Sequence, residues 1–557
     1  MVSDTVDSRA VWDNGGRWCA WLLLLLAVAP YAQVRNYPHV HDDHMLRGPG
    51  SVAAETDVPL SELLAADFFG TRERPTGQTG FWRPLVLLSF RVEALLSGGS
   101  EAGYAWLGHV FTLLCHAAAS LALWRLLTAV GLGPAAALLG AAWFAVHPVH
   151  VESVAWVSGR TDSLPTALGF MALTLQLRQQ ASRAALWGAA LLLAAALLCK
   201  ETALLLVLLG PVLLLSQGRR PARALGPALG ALLAVLLLRA AVFGLLPGAD
   251  PAAYTGPADA WTRWATWGSI LPRLLRFLLW PGPATPLHPV EPVTSIVSSE
   301  ALLGGAVLAL IGLGAWLAWR RRSLPGLLAA GLVGGTLMML APWTAVPTGY
   351  PEVAAPLYER YLYAAAAAPG LLLGAALRGR EREPAGRRDL ILGLAGALLL
   401  GLAWGPVTAS RCRMWSSDVA FAQAGLAMAP EATSLWVHLG TAQLERYRAG
   451  GERESGEAAL AALERALALD PGHQLARVDR LIARAMLGQL EAAAADAQRL
   501  LQLFPDDPGV LHNVAAFFAG VGDHRRAAEL YQRELATGRA LPGAEQALSD
   551  SLAAVRR

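Results

Sequence analysis

The chain has 557 residues, a formal net charge of +3 and 55% hydrophobic residues, with a positive mean hydropathy. That composition excludes one soluble globule and implies a polytopic membrane protein, and so small a charge on so long a chain argues against a nucleic-acid partner. The four cysteines, Cys19, Cys115, Cys199 and Cys412, form neither a metal-ligand spacing nor a disulfide framework.

Apolar runs predict membrane spans near residues 17–34, 104–127, 133–149, 162–178, 184–199, 201–217, 224–246, 301–319, 324–343, 360–377 and 389–408. Several approach the ~20 residues that cross a hydrocarbon layer. Residues 269–281 are apolar but short and carry Pro272, Arg273 and Arg276, which suits a partial or re-entrant segment better than a full span. The first run, with Arg17, a leucine-rich core and Ala27-Val28-Ala29, also has the makeup of a cleavable signal peptide; the loop after it is exported either way.

Short loops rich in arginine set the orientation. Arg125, Arg178 with Arg183, Arg219 to Arg223, Arg320 to Arg322 and the run from Arg378 to Arg388 share the cytoplasmic side if 269–281 does not cross. Eleven crossings from a cytoplasmic N-terminus then put Asp42 and Asp43, His147 to Asp162, Lys200 and Glu201, the 345–359 loop and the C-terminal region together on the opposite face.

The first exported loop, residues 35–103, opens with His39-Val40-His41-Asp42-Asp43-His44. Adjacent carboxylates at a membrane boundary can divide labour, one taking a proton from an attacking hydroxyl while the other orients it; a solvated acidic turn is the plainer alternative. In Phe81-Trp82-Arg83-Pro84-Leu85, Arg83 suits either a phosphate clamp or an interfacial anchor. His109 and His116, seven residues apart, share one face of the second span, where core hydrogen bonding is the commoner role.

His147 and His150 flank a proline that ends a helix, and Glu152 follows, so three titratable groups crowd one helix exit. A metal site is possible on chemistry, but they lack fixed metal-ligand spacing, so a divalent metal is not indicated. Ser158-Gly159-Arg160-Thr161-Asp162 comes next; Arg160 and Asp162 could form a structural pair or serve catalysis. Lys200-Glu201 between two apolar runs is either a structural ion pair or a lysine recruited to an anionic headgroup, and Tyr358-Glu359-Arg360-Tyr361 invites the same two explanations.

After about residue 411 polar helices replace apolar spans. Leu439-Gly440 and Leu487-Gly488 recur, Pro471 and Pro505 are 34 residues apart, and a further unit runs from Pro508 through Gly522 to Leu535. This is the tetratricopeptide period, implying about three repeats over 411–557 after a membrane domain over 1–410.

The order Asp42-Asp43, Trp82-Arg83-Pro84-Leu85, His109 with His116, the string from His147 to Asp162, Cys199-Lys200-Glu201-Thr202 and Glu359-Arg360-Tyr361-Leu362-Tyr363 resembles the transmembrane and tetratricopeptide-repeat O-mannosyltransferases and their bacterial relatives. The resemblance covers nearly the whole chain, with the His147 to Asp162 string its most specific part. It implies an all-α fold, a GT-C-type membrane helical bundle followed by a tetratricopeptide α-solenoid. The activity it implies is inverting transfer of a sugar, mannose first, from a polyprenyl-phosphate carrier to a protein Ser or Thr hydroxyl.

By that likeness Asp42 is the base and Asp43 orients it or the donor sugar. Arg360, Lys200 and Arg83 hold the carrier phosphate, while His147, His150, Glu152, Arg160, Asp162, Glu201, His109 and His116 shape the donor pocket. The lipid-linked sugar is the donor, metal dependence stays open, and the repeats are expected to engage the protein acceptor. Thr112 departs from an asparagine frequent in the family, and the repeat array is short. An alanine- and arginine-rich composition points to a bacterial inner membrane with the site and repeats periplasmic. The alternatives are a lipid-linked sugar transporter, which needs a polar path to the cytoplasmic face, and a membrane-anchored repeat scaffold for envelope assembly, which needs no intramembrane charge.

Overall fold

A computed structural model of the protein describes residues 8–48, 50–72, 80–178, 181–219, 221–243, 260–340, 357–378 and 387–557. Most of the expected 345–359 loop and of the run from Arg378 to Arg388 lies outside them. Among the described residues the fold is helical, with only two isolated backbone bridges and no strand. Backbone contacts divide it into one unit reaching Ser417 and another running from Asp418 to Arg557.

The first unit opens with α1 (Ser8–Val28) and a 3-10 turn over Ala29–Asn36. Three elements follow in the loop region, α2 (Asp43–Arg47), α3 (Leu60–Ala65) and α4 (Pro84–Ser97). Next come α5 (Glu101–Ala129), α6 (Pro134–Val146), α7 (Val151–Ala155), α8 (Arg160–Leu177), α9 (Arg183–Cys199), α10 (Leu204–Ser216), α11 (Ala222–Phe243) and α12 (Ala260–Leu279). The unit closes with α13 (Ser299–Arg320), α14 (Leu324–Leu340), α15 (Ala367–Arg378) and α16 (Arg387–Cys412).

Helix starts follow local chemistry: Ser100, Ser182 and Ser298 each accept a backbone N–H three residues on, which satisfies an otherwise orphaned donor. α6 stops at His147 because Pro148 has no N–H to continue the ladder. Among the described residues five segments are long and apolar enough to cross a membrane, Gly16–Asn36, Glu101–Ala129, Ala222–Val242, Ser299–Arg320 and Arg388–Trp415, and a sixth if the helices on either side of the 47° bend at His147 count as one. The protein is therefore a multi-pass membrane protein. The remaining predicted spans are shorter helices, among them α9, α14 and the segment Glu201–Ser216. The run predicted to start at 360 begins its helix only at Ala367, after a 3-10 turn over Glu359–Leu362. Residues 269–281 belong mainly to the longer, continuous helix α12, with Pro272 inside it.

Small residues let helices touch closely. A Cβ on Gly370 of α15 would collide with the Gly140 carbonyl of α6, and one on Gly304 of α13 with the Gly268 backbone of α12. Such contacts substitute dispersion for the hydrophobic drive that is absent between helices in lipid.

The second unit holds α17 (Asp418–Leu426) and the hairpins α18 (Thr433–Gly450) with α19 (Arg453–Leu469), α20 (Gln474–Met486) with α21 (Leu490–Leu503), and α22 (Pro508–Gly520) with α23 (His524–Ala536), then α24 (Ala544–Val555). α20 and α22 start 34 residues apart. The Leu-Gly recurrence read from sequence joins unlike positions: Gly440 lies inside α18 against Leu463, whereas Gly488 and Gly522 form left-handed turns between paired helices.

Candidate functional site

One end of the first unit gathers the charged residues that the sequence scattered. His41 adopts φ +58°, a left-handed conformation costing a non-glycine residue roughly 1–3 kcal/mol, and turns the chain so that Asp42 and Asp43 start α2. Asp43 is buried and accepts hydrogen bonds from the Ser158 backbone N (3.0 Å) and the Ser158 hydroxyl. Burial pushes its carboxyl up to about 6, with Ser158 and the Arg47 guanidinium pulling the other way. The Asp42 side chain keeps 30% exposure, with His41 Nε2 at 3.2 Å. The two carboxylates are thus unequal: one anchors and the other is presented.

Behind them Glu93, buried on α4, sits between two guanidiniums: it accepts from Arg47 at 2.7 Å and from Arg160. Arg160 also donates to Ser89 Oγ (3.0 Å) and the Gly108 carbonyl (2.8 Å). Thr112 donates to the Gly108 carbonyl at 2.9 Å and meets the Val157 carbonyl at 3.3 Å, so a hydroxyl ties α5 to the backbone beside Ser158. Gly159 allows this turn, because a Cβ there would lie 2.6 Å from the Glu152 carbonyl oxygen. Arg160 and Asp162 do not pair. Two residues apart in the first turn of α8, they face nearly opposite directions, and Asp162 instead accepts from Lys200 Nζ at 2.6 Å. Lys200 and Glu201 likewise part company, Glu201 pairing with Arg83 at 3.1 Å, whose guanidinium lies over the Phe68 and Phe81 rings.

The 3-10 turn at Glu359–Leu362 sends neighbours in different directions. Glu359 accepts from Arg411 (2.7 and 2.8 Å) and meets His288 Nε2 at 3.0 Å. Arg360 donates its backbone N–H to Glu152 at 2.9 Å and pairs with that carboxylate through its guanidinium, which lies 3.9 Å from the Tyr358 ring centre and 5.4 Å from that of Trp156. His41 packs 6.2 Å from Trp156, so the residue before Asp42 meets a ring that the Arg360 guanidinium also approaches.

Arg360 lines a cleft with Asp162, Thr202 and Tyr361, whose other wall is the apolar Leu205, Leu206, Met339 and Leu340 of α10 and α14. Lys200 and Arg83, expected beside it at a phosphate, are absent from that lining, although Lys200 grips the lining carboxylate of Asp162.

The histidines form a buried aromatic file beneath. His116 Nδ1 meets the Tyr363 hydroxyl at 2.6 Å and its Nε2 meets the Ala145 carbonyl at 3.0 Å. His150 packs 4.4 Å from the Tyr363 ring, His147 stacks on Trp404 at 5.4 Å, and His109 lies edge-on to Tyr37 at 6.4 Å. His147, His150 and Glu152 therefore face different partners, and among the described residues no three His, Cys, Asp or Glu side chains converge to hold a metal. Sequence reasoning missed Glu93, Arg47, Arg411 and His288. The signal available for Glu93 was an acid inside the apolar stretch 84–97, beside Arg91.

No family model matches the chain. Among curated proteins it is 34% identical over 192 residues to protein O-mannosyl-transferase Tmtc1 of Drosophila melanogaster, covering 33% of this chain and 21% of that protein. Its relatives are protein O-mannosyl-transferases. Tmtc2 of the same fly is 32% identical over 282 residues (46% of this chain, 29% of that protein), and human TMTC4 is 33% identical over 162 residues (26% and 21%). The chain thus spans less than a third of the length of these curated relatives. A crystal structure of ArnT from Cupriavidus metallidurans bound to undecaprenyl phosphate aligns over 88% of this chain and 81% of that one, at 17% identity and a TM-score of 0.39.

Proposed function

We propose that the protein is an inverting glycosyltransferase that moves a sugar, mannose first, from a polyprenyl-phosphate carrier to a protein Ser or Thr hydroxyl. The observation that carries this is the partly exposed Asp42 beside the anchored Asp43, at the bundle end where Arg360 lines a cleft walled by apolar helices. The relatedness to protein O-mannosyl-transferases supports the same class.

Asp42 would take the acceptor hydroxyl proton as the oxygen attacks the anomeric carbon. The new carbon–oxygen bond forms opposite the breaking bond to the carrier phosphate, which inverts the centre. Arg360 would meet the charge gathering on the departing phosphate, where a guanidinium outside bulk water is most effective. The prenyl chain would run against α10 and α14, and Asp162 with Lys200 would border the sugar. A shallow groove lined by Arg35, Tyr37, His39, Glu101 and Trp106 adjoins the Asp42 turn and would receive the acceptor. The helical repeats would engage the acceptor chain, on the periplasmic face of a bacterial inner membrane.

The test is transfer of radiolabelled sugar from polyprenyl-phosphate-mannose, and from the glucose analogue, in membranes carrying the intact protein or Asp42→Asn. Loss of a general base costs about 10²–10⁴-fold, so label should appear with the first and fall below detection with the second. Equal labelling by a correctly inserted variant would remove Asp42 as the base. No labelling from either donor would favour a transporter or scaffold.

A further inference from the structure

α12 has three arginines and no acid in its 20 residues. One stripe, with Trp267, Leu271, Leu274 and Leu278, is buried in the protein, and Ala265, Thr266 and Gly268 are buried in the turn beside Trp267. Other positions are open: Trp261 is 67% exposed, Trp264 52% and Leu279 55%, with Trp280 at 64% just beyond the helix. Arg273 and Arg276 are exposed among them. Arg273 spends one N–H on the Pro289 carbonyl (3.0 Å), and among the described residues neither arginine makes an ion pair.

The buried stripe meets the ends of other helices. Trp267 Nε1 donates to the Leu337 carbonyl (3.0 Å) near the close of α14, Gly268 abuts Ala301 near the opening of α13, and Thr266 Oγ1 accepts from Val293 N (2.9 Å) just before it. Phe277 packs 4.5 Å from His288 and Trp280 5.5 Å from Trp404, beside the Glu359 cluster. Along its length α12 therefore stays at the end of the bundle that carries Asp42, and it is absent from the helices apolar enough to cross.

We propose that α12 lies along the membrane–water boundary and docks on anionic phospholipid headgroups through Arg273 and Arg276, with Trp261, Trp264 and Trp280 seated at headgroup depth. Indole rings favour that layer because one edge is apolar and the N–H is polar. A helix with an aromatic and basic face and no acid has the charge complementary to lipid phosphates. Because α12 does not cross, the end of α11 and the start of α13 share one face. The proposal is independent of the transferase chemistry.

The full-length protein is reconstituted in nanodiscs of phosphatidylcholine alone or mixed equally with phosphatidylglycerol, after serine replacement of the four native cysteines. Spin labels on Trp264→Cys and Leu279→Cys are about 22 Å apart along the helix. Equal depths near the phosphate layer are expected from their accessibility to oxygen and to an aqueous nickel chelate. Depths differing by most of that distance, as in a span, or both labels in bulk water, would overturn the proposal. The ratio of phosphatidylglycerol to phosphatidylcholine retained on purification should fall about fivefold per arginine removed in Arg273→Gln/Arg276→Gln, and return in the lysine pair. An unchanged ratio in the glutamine variant would overturn headgroup recognition. If that variant does not fold, the lysine pair and the two depth labels still decide.

Discussion

Asp42 and Asp43 share a peptide bond but not an environment. The raised Asp43 carboxyl is protonated in the folded chain and ionised in the unfolded one between about pH 4 and 6, so unfolding releases a proton in that window and stability falls as pH rises through it. Asp43→Asn should therefore flatten the change in thermal midpoint between those pH values, measured by scanning fluorimetry in detergent. Glu93 illustrates the opposite danger, since removing it leaves Arg47 and Arg160 buried without their shared counter-charge. Glu93→Ala should cost about 3–5 kcal/mol, read as a large drop in midpoint and yield, and Glu93→Gln less, because the amide oxygen can still accept.

At the scale of elements, turns decide which charges meet. Ser158 reaches Asp43 because Gly159 lets the chain pass against α7, and the Ala methyl in Gly159→Ala would fall 2.7 Å from Ser153 Cα. That substitution should lower the thermal midpoint by the equivalent of about 1–3 kcal/mol and lower transfer by more than the stability loss explains, measured together on purified protein. The short turn at Glu359–Leu362 separates Glu359 from Arg360 in the same way, one to Arg411 and the other to Glu152. Charge spacing in the sequence had left ion pairing open at both Arg160 with Asp162 and Lys200 with Glu201. Neither pair forms, because adjacent or near-adjacent side chains at a helix start diverge. The Leu-Gly recurrence in the repeats misled for a related reason: a glycine for close packing and a glycine for positive φ look alike in a sequence.

For the whole molecule, the two contact units differ in solvent. The second has its own apolar core, with Leu481, Leu500, Val514 and Phe518 packed together, and an ion network in which Asp496 holds Arg480 and Arg484. Residues 418–557 expressed alone should be soluble, helical by circular dichroism and cooperative in urea unfolding; aggregation with no transition would refute this. The first unit exposes broad apolar surface, including Leu236, Leu237, Leu310 and Leu399, and should need detergent or lipid throughout.

Periodicity and hydropathy by themselves determined the helical class, the positions of most apolar helices and the 34-residue hairpin period, because each depends on local composition or spacing. Only the tertiary structure decided that Asp43 is anchored and Asp42 presented, that Glu93 bridges two arginines, that Arg360 and not Lys200 or Arg83 lines the cleft, and that residues 260–279 form one helix at the bundle end. Those outcomes depend on which side chains distant segments bring within hydrogen-bond reach, and partner choice in a low-dielectric interior is a property of three-dimensional distance that linear spacing does not encode.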